Sequence, residues 1–278
     1  MKNISYRSFI AKYTQRIIIP WFIASVIYLL INTLFFDVVW NAMTVINFFL
    51  YPFYHLWFIP GLLIMMSLLW LVVNKRLSFT AVLILALFLS IAWFSYLKHW
   101  QLDSTFLYWL GDKRFYIYFF FYVLGFYIRN NPTVTFYKRV PLIVSLVAIA
   151  FGCLRSVGFM HKLIPSSTSG LFFISLNFGI ITLCLNQVIQ NNKFNNRLTD
   201  FCSRQSLAIY LYHYLSILLI KDTFSGLVMN IGIPGVLMPY IVAVILFGIA
   251  CLTVLPSIAL MEKIEKINPL VFGNISRR

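Results

Sequence analysis

Eight stretches of this chain are apolar for long enough to reach across a bilayer: roughly 17–36, 55–73, 79–97, 115–128, 140–158, 170–189, 205–221 and 236–260. A spanning helix needs about 20 mostly apolar residues. Backbone in lipid must satisfy its own hydrogen bonds, so each stretch reads as a helix rather than an open strand. Only 10% of the 278 residues are charged, against about 25% in a soluble domain. No long polar stretch remains for a separate soluble domain. The expected architecture is therefore all-α, a polytopic transmembrane helix bundle of about eight spans filling residues 1–278 as a single integral-membrane domain. The first segment, MKNISYRSFIAKYTQR, lacks a small-residue cleavage site and runs into a full-length apolar stretch, so it does not read as a cleavable signal.

The net charge of +15 has a topological reading. When alternate connections are assigned to one side, the set holding both termini carries 16 of the Lys and Arg residues and the other set carries 6. Cytoplasmic loops collect Lys and Arg. Both termini are therefore expected in the cytoplasm, and no polyanionic partner such as nucleic acid is needed to explain the excess. The outer loops are then about 37–54, 98–113, 159–169 and 222–235, rich in aromatic residues and holding Asp37, Asp103, Asp112 and Asp222. His55, His99 and His161 lie in or at the edge of them.

Two histidines stand out. His55 and Trp57 open the second span in HLWFIPGLL, just before a Pro60-Gly61 break. Trp57 also fits the aromatic belt found at membrane interfaces, whereas a histidine there can donate, accept or act as a base near neutral pH. His213 lies deep in the seventh span, where an ionisable group faces the protein interior or a wet cavity. The plainer alternative is a neutral ring hydrogen-bonded to a neighbouring helix. Ser206, Tyr210 and His213 share one helical face and form a polar stripe expected to pack inward. At 1.5 Å per residue, His55 near the outer surface and His213 at mid-bilayer should differ in depth by about 10–15 Å.

Lys12 and Arg16 precede the first span on one face. They serve as positive-inside anchors or as a clamp for phosphate groups. Lys113, Arg114 and Arg155 sit on the outer side, against the charge trend. The four cysteines, Cys153, Cys184, Cys202 and Cys251, are scattered singly and read as small apolar residues, with no metal-like spacing. There is no GxSxG, Walker loop, HExxH or Gly-rich dinucleotide turn. All seven acidic residues lie at span ends or in loops, which weighs against a proton-coupled transporter.

Four segments in order resemble the membrane-bound acyltransferase-3 family of bacterial integral-membrane enzymes that O-acylate surface glycans. They are FIAKYTQRIIIPWFIAS, YHLWFIPGLL, RFYIYFFFYVLGFYI and SRQSLAIYLYHYLSILLI, and together they cover essentially the whole chain. The family pattern begins with a helix carrying an Arg and a His, followed by a second helix with a Phe-Phe and Ser-Gly-Phe segment; neither is present in this sequence, which reads as an N-terminally shortened member. The resemblance implies transfer of an acyl group, in the first place acetyl, from cytoplasmic acyl-CoA as co-substrate to a hydroxyl of an exported or lipid-linked glycan. No tightly bound cofactor and no metal are expected. His55 and His213 are the catalytic candidates. Lys12, Arg16, Trp57, Arg114 and Tyr210 are the substrate-binding ones. The expected location is the inner (plasma) membrane, as a multi-pass protein in contact with lipid, acyl-CoA and a sugar acceptor. The alternative is a non-catalytic remnant, or a glycan or lipid transporter-like membrane protein.

Overall fold

A computed structural model of the chain describes residues 5–36, 41–44, 46, 54–92, 115–130, 142–154, 169–190, 197–229 and 238–262. Among the described residues the chain is all-α, with no strand. The helices are α1 (Tyr6–Tyr13), α2 (Ile19–Phe36), α3 (Phe58–Asn74), α4 (Phe79–Ala92), α5 (Phe115–Asn130), α6 (Leu142–Leu154), α7 (Ser169–Gln190), α8 (Arg197–Arg204), α9 (Ser206–Met229) and α10 (Met238–Glu262). Eight of these lie on the eight apolar stretches. Three described helical segments are long and apolar enough to cross a membrane: Tyr6–Phe36, His55–Asn74 and Val244–Met261. Phe79–Ala92, Leu142–Cys153, Leu171–Cys184 and Ser206–Leu219 are apolar but shorter.

Three local features depart from plain helices. The first is a π-helical segment, Thr14–Ile18, that joins α1 to α2, with the Ile19 N–H bonded to the Thr14 carbonyl. Pro20 explains it. Proline has no N–H for the carbonyl four residues back and crowds it as well, and a π-bulge is one way for a helix to absorb that misfit. The second is a 3-10 turn, Tyr54–Trp57, ahead of α3. Pro60 is the third residue of α3, where a missing N–H leaves no intrahelical bond unmade. The third is Arg76, whose φ of 52° closes α3 in the left-handed region. There Leu77 N–H reaches the Val72 carbonyl at 3.0 Å, a Schellman-type end normally built on glycine. The polar stretch 190–204, between the sixth and seventh apolar stretches, contains α8.

The described chain falls into two compact units. One comprises residues 1–3, 61–109 and 113–196, and so holds α4 to α7 and α3 from Gly61 onward. In it, α6 and α7 pack closely through small residues. Ser145 and Thr182 hydroxyls are 2.8 Å apart and Ser175 donates to the Ala148 carbonyl at 2.9 Å. A Cβ built on Gly179 would stand 2.7 Å from the Ser145 carbonyl, and one on Gly152 would stand 2.6 Å from the Leu176 Cα. Without a hydrophobic drive between helices in lipid, close backbone approach of this kind is what holds them. In the same unit Phe79 stacks on Phe126 at 5.8 Å, joining α4 to α5.

The other unit comprises residues 4–60, 110–112 and 197–278. It contains α1, α2, the 3-10 turn and α8 to α10. Its packing centres on Ala208, Val254 and Ile258, with Phe201 of α8 seated against them. All the described histidines fall here.

Candidate functional site

The site is built on α2, the 3-10 turn and α9. Along α2, Trp21, Ser25, Tyr28 and Asn32 are all buried and recur at helical spacing, so they form one polar and aromatic face. Two of them reach out to fix neighbours. Trp21 Nε1 donates to the Leu56 carbonyl at 3.2 Å, and Tyr28 Oη donates to the Leu211 carbonyl at 3.2 Å. Tyr210 Oη donates to the His55 carbonyl. A 3-10 turn leaves backbone carbonyls unmatched. Here side chains from two helices take them up, which holds the turn against α9.

That turn places His55 among aromatic rings. His55 lies 5.9 Å from Tyr28, 4.9 Å from Tyr210 and 5.6 Å from Tyr214, measured between ring centroids. The ring of His213 is nearer still, at 4.6 Å and tilted by 48°. The two histidines, expected about 10–15 Å apart in depth, are therefore neighbours. The estimate treated both spans as straight rods entered from opposite faces. In the fold, α3 begins only at Phe58, and the 3-10 turn before it is bonded to Tyr210 of α9.

Hydrogen bonds fix which nitrogen of each ring carries the proton. His55 Nε2 is 2.6 Å from the Tyr210 carbonyl. A carbonyl only accepts, so Nε2 donates and the neutral ring keeps its lone pair on Nδ1. Nδ1 is buried, with no hydrogen-bond partner among the described residues. His213 Nδ1 lies 3.0 Å from the Ile209 carbonyl and 2.9 Å from that of Tyr210. It donates to them, which leaves Nε2 as the bare nitrogen of a neutral His213. The Tyr210 carbonyl thus receives both rings, and among the described residues the pair offers one oriented base nitrogen from each without a hydrogen-bond partner, Nδ1 of His55 and Nε2 of His213.

Tyr210 and His213 also line a cavity of about 770 Å³ between α9 and α10, walled by Ser206, Tyr214, Cys202 and Cys251 among others. Ser206 completes the polar stripe at the exposed start of α9. Lys12 and Arg16 are both exposed on the α1 and π segment. Lys12 Nζ sits 5.8 Å from the centre of the Tyr13 ring. Arg16 precedes Trp21 by five residues, about 8 Å along the helix. Trp57 is half-buried with its ring 6.0 Å from Phe58, and no described contact ties it to either histidine. Arg114 lies outside the described residues, as do Lys113, Arg155, His99 and His161. No group of three or more His, Cys, Asp or Glu side chains able to hold a metal occurs among the described residues.

Trp21, Tyr28 and Tyr214 are site residues that the sequence reading did not single out. The signal was available: the Trp21, Ser25, Tyr28, Asn32 stripe obeys the same spacing logic that drew attention to Ser206, Tyr210 and His213.

Compared with known proteins, the chain matches neither a curated protein nor a solved structure at a significant level. A family model, described as an acyltransferase domain, matches residues 1–261. That match takes in every helix described above except the last residue of α10, and the chain belongs to the membrane acyltransferase-3 family.

Proposed function

We propose that this membrane acyltransferase moves an acyl group, acetyl in the simplest case, from acyl-CoA to a hydroxyl of an exported or lipid-linked glycan, with His55 as the base. The observation that carries this reading is the His55 ring itself. Its Nε2 proton is committed to the Tyr210 carbonyl, and its Nδ1 lone pair is buried and unengaged among the described residues. Acyl transfer to an alcohol needs a group that takes the hydroxyl proton as the oxygen attacks. Nδ1 of His55 takes that proton, the new C–O bond forms at the thioester carbonyl, and the C–S bond breaks. The departing thiolate then recovers the proton from the His55 ring. His213 supports this by holding its own bare Nε2 beside the developing imidazolium.

Lys12 and Arg16 are the proposed partners of the donor's phosphates, about two and a half and one and a half turns before Trp21. Trp57 and Arg114 are proposed contacts for the acceptor sugar. The proposed topology has both termini in the cytoplasm of a plasma-membrane protein, which puts Lys12 and Arg16 where acyl-CoA is made.

The test is glycan acylation measured by mass spectrometry on cells or vesicles carrying the full chain. His55→Ala is expected to lower product by about 100-fold or more, the usual contribution of a positioned base, and His213→Ala to lower it as well. Undiminished acylation in both variants overturns the assignment.

A further inference from the structure

The cavity between α9 and α10 has a shape that acyl transfer does not by itself require. Its walls on α9 run from Ser206 through Ile209, Tyr210, His213 and Tyr214 to Ile217, a stripe at helical spacing. The eleven residue rises from Ser206 to Ile217 measure about 16 Å, close to half of a hydrocarbon core about 30 Å thick. On α10 the matching wall runs from Leu246 to Leu255 and includes the exposed Phe247. The space is therefore a slot along the helices, about 770 Å³ in volume, within the usual range for ligand sites. None of the described residues lining it is charged.

The end of the slot marked by Cys202 lies on α8. That helix is short and amphipathic. Phe201 packs inward against Ala208, Val254 and Ile258. Arg197 and Arg204, seven residues apart and so on one face, are exposed. Asp200 shares that face and pairs with Arg204 Nε at 3.3 Å, leaving two cations against one anion. A basic amphipathic helix beside a bilayer suits the level of anionic headgroups.

We infer that this slot binds one acyl chain of an anionic phospholipid, with the headgroup phosphate at Arg197 and Arg204 of α8. The length of one leaflet fits a chain that belongs to that leaflet. The described walls are uncharged and suit hydrocarbon, and among the described residues the positive charge stands at the Cys202 end. Tyr210 and His213 form part of the wall, so the lipid lies against the histidine pair. The inference concerns binding alone and stands whether or not the chain transfers acyl groups.

The experiment uses full-length protein carrying Cys153→Ser, Cys184→Ser and Cys202→Ser, delipidated in detergent and then returned to vesicles or supplied with single lipids. Alkylation of Cys251, in the slot wall, is followed with N-ethylmaleimide, and retained lipid is read by native mass spectrometry. Dioleoyl phosphatidylglycerol is expected to slow alkylation about fivefold or more and to be retained in preference to dioleoyl phosphatidylcholine. Arg197→Gln with Arg204→Gln should abolish that preference while chain protection persists. Leu246→Trp, which fills the slot, should abolish retention. Equal protection by both phospholipids overturns the proposal, as does unchanged alkylation with every lipid. Stronger protection by palmitoyl-CoA or by undecaprenyl phosphate also overturns it, by naming another occupant.

Discussion

At the scale of single residues, the site depends on side chains that hold a backbone turn in place. Trp21 and Tyr210 each donate to a carbonyl of the 3-10 turn, and Tyr28 donates to the carbonyl of Leu211 in the facing helix. Removing one such buried bond costs about 1 kcal/mol, more when the carbonyl is left unsatisfied. Trp21→Phe keeps most of the ring and loses only the donor. It is expected to lower acyl transfer about tenfold through kcat, with little change in KM for the acyl donor, because the proposed base His55 is displaced while the proposed donor contacts at Lys12 and Arg16 remain. A loss confined to KM would show that Trp21 acts elsewhere. His55 and His213 were legible in the sequence because titratable groups in apolar runs are conspicuous. Their adjacency was not, because it follows from where α3 begins, and HLWF reads equally well as the first turn of a straight α-helix. Trp21 and Tyr28 were legible only as members of the Trp21, Ser25, Tyr28, Asn32 stripe, because a lone aromatic residue in a membrane helix is unremarkable.

At the scale of elements, proline and glycine account for most of what is irregular. In the α6 and α7 pair, Gly152 and Gly179 let backbones approach to a distance at which a Cβ would collide with main-chain atoms. A collision with backbone cannot be relieved by a rotamer change. Gly179→Leu is therefore expected to destabilise the protein by about 1–3 kcal/mol, visible as a melting temperature in detergent several degrees lower. An unchanged melting temperature would mean that α6 and α7 separate at little cost. Helix existence could be read from the apolar runs, and all eight stretches carry one. Helix ends could not. The start of α3 moved from His55 to Phe58, and α8 emerged from a polar segment that Phe201 anchors against the helix core. Two phenylalanines, Phe194 and Phe201, scattered among Asn, Arg and Thr are too weak a pattern to distinguish a short helix from a loop.

For the whole molecule, charge carries the main prediction. The 16-to-6 division of basic residues orients the chain through the bilayer only if the spans are even in number. Tags at the two ends should then be digested by protease from the same face of sealed vesicles, the cytoplasmic one. Digestion from opposite faces would require an odd number of spans. Composition alone gave the membrane class and the helical class, since nothing else tolerates so little charge. It gave nothing about which parts of the chain pack together.

The π segment ahead of α2 sets the angular phase of everything before it. Each residue in a helix advances the chain by about 100°, so Thr14–Ile18 works like an extra tooth between two gears, one bearing Lys12 and the other bearing Trp21. A substitution there leaves the phase intact. A deletion does not: without Gln15, the segment has no spare residue, and Lys12 swings by about 100° relative to the face that holds the 3-10 turn. Gln15→Ala is accordingly expected to be silent. Deletion of Gln15 is expected to raise KM for acyl-CoA about tenfold, although no side chain that contacts the histidines has changed. Equal KM values for the two variants would mean that Lys12 takes no part in donor binding.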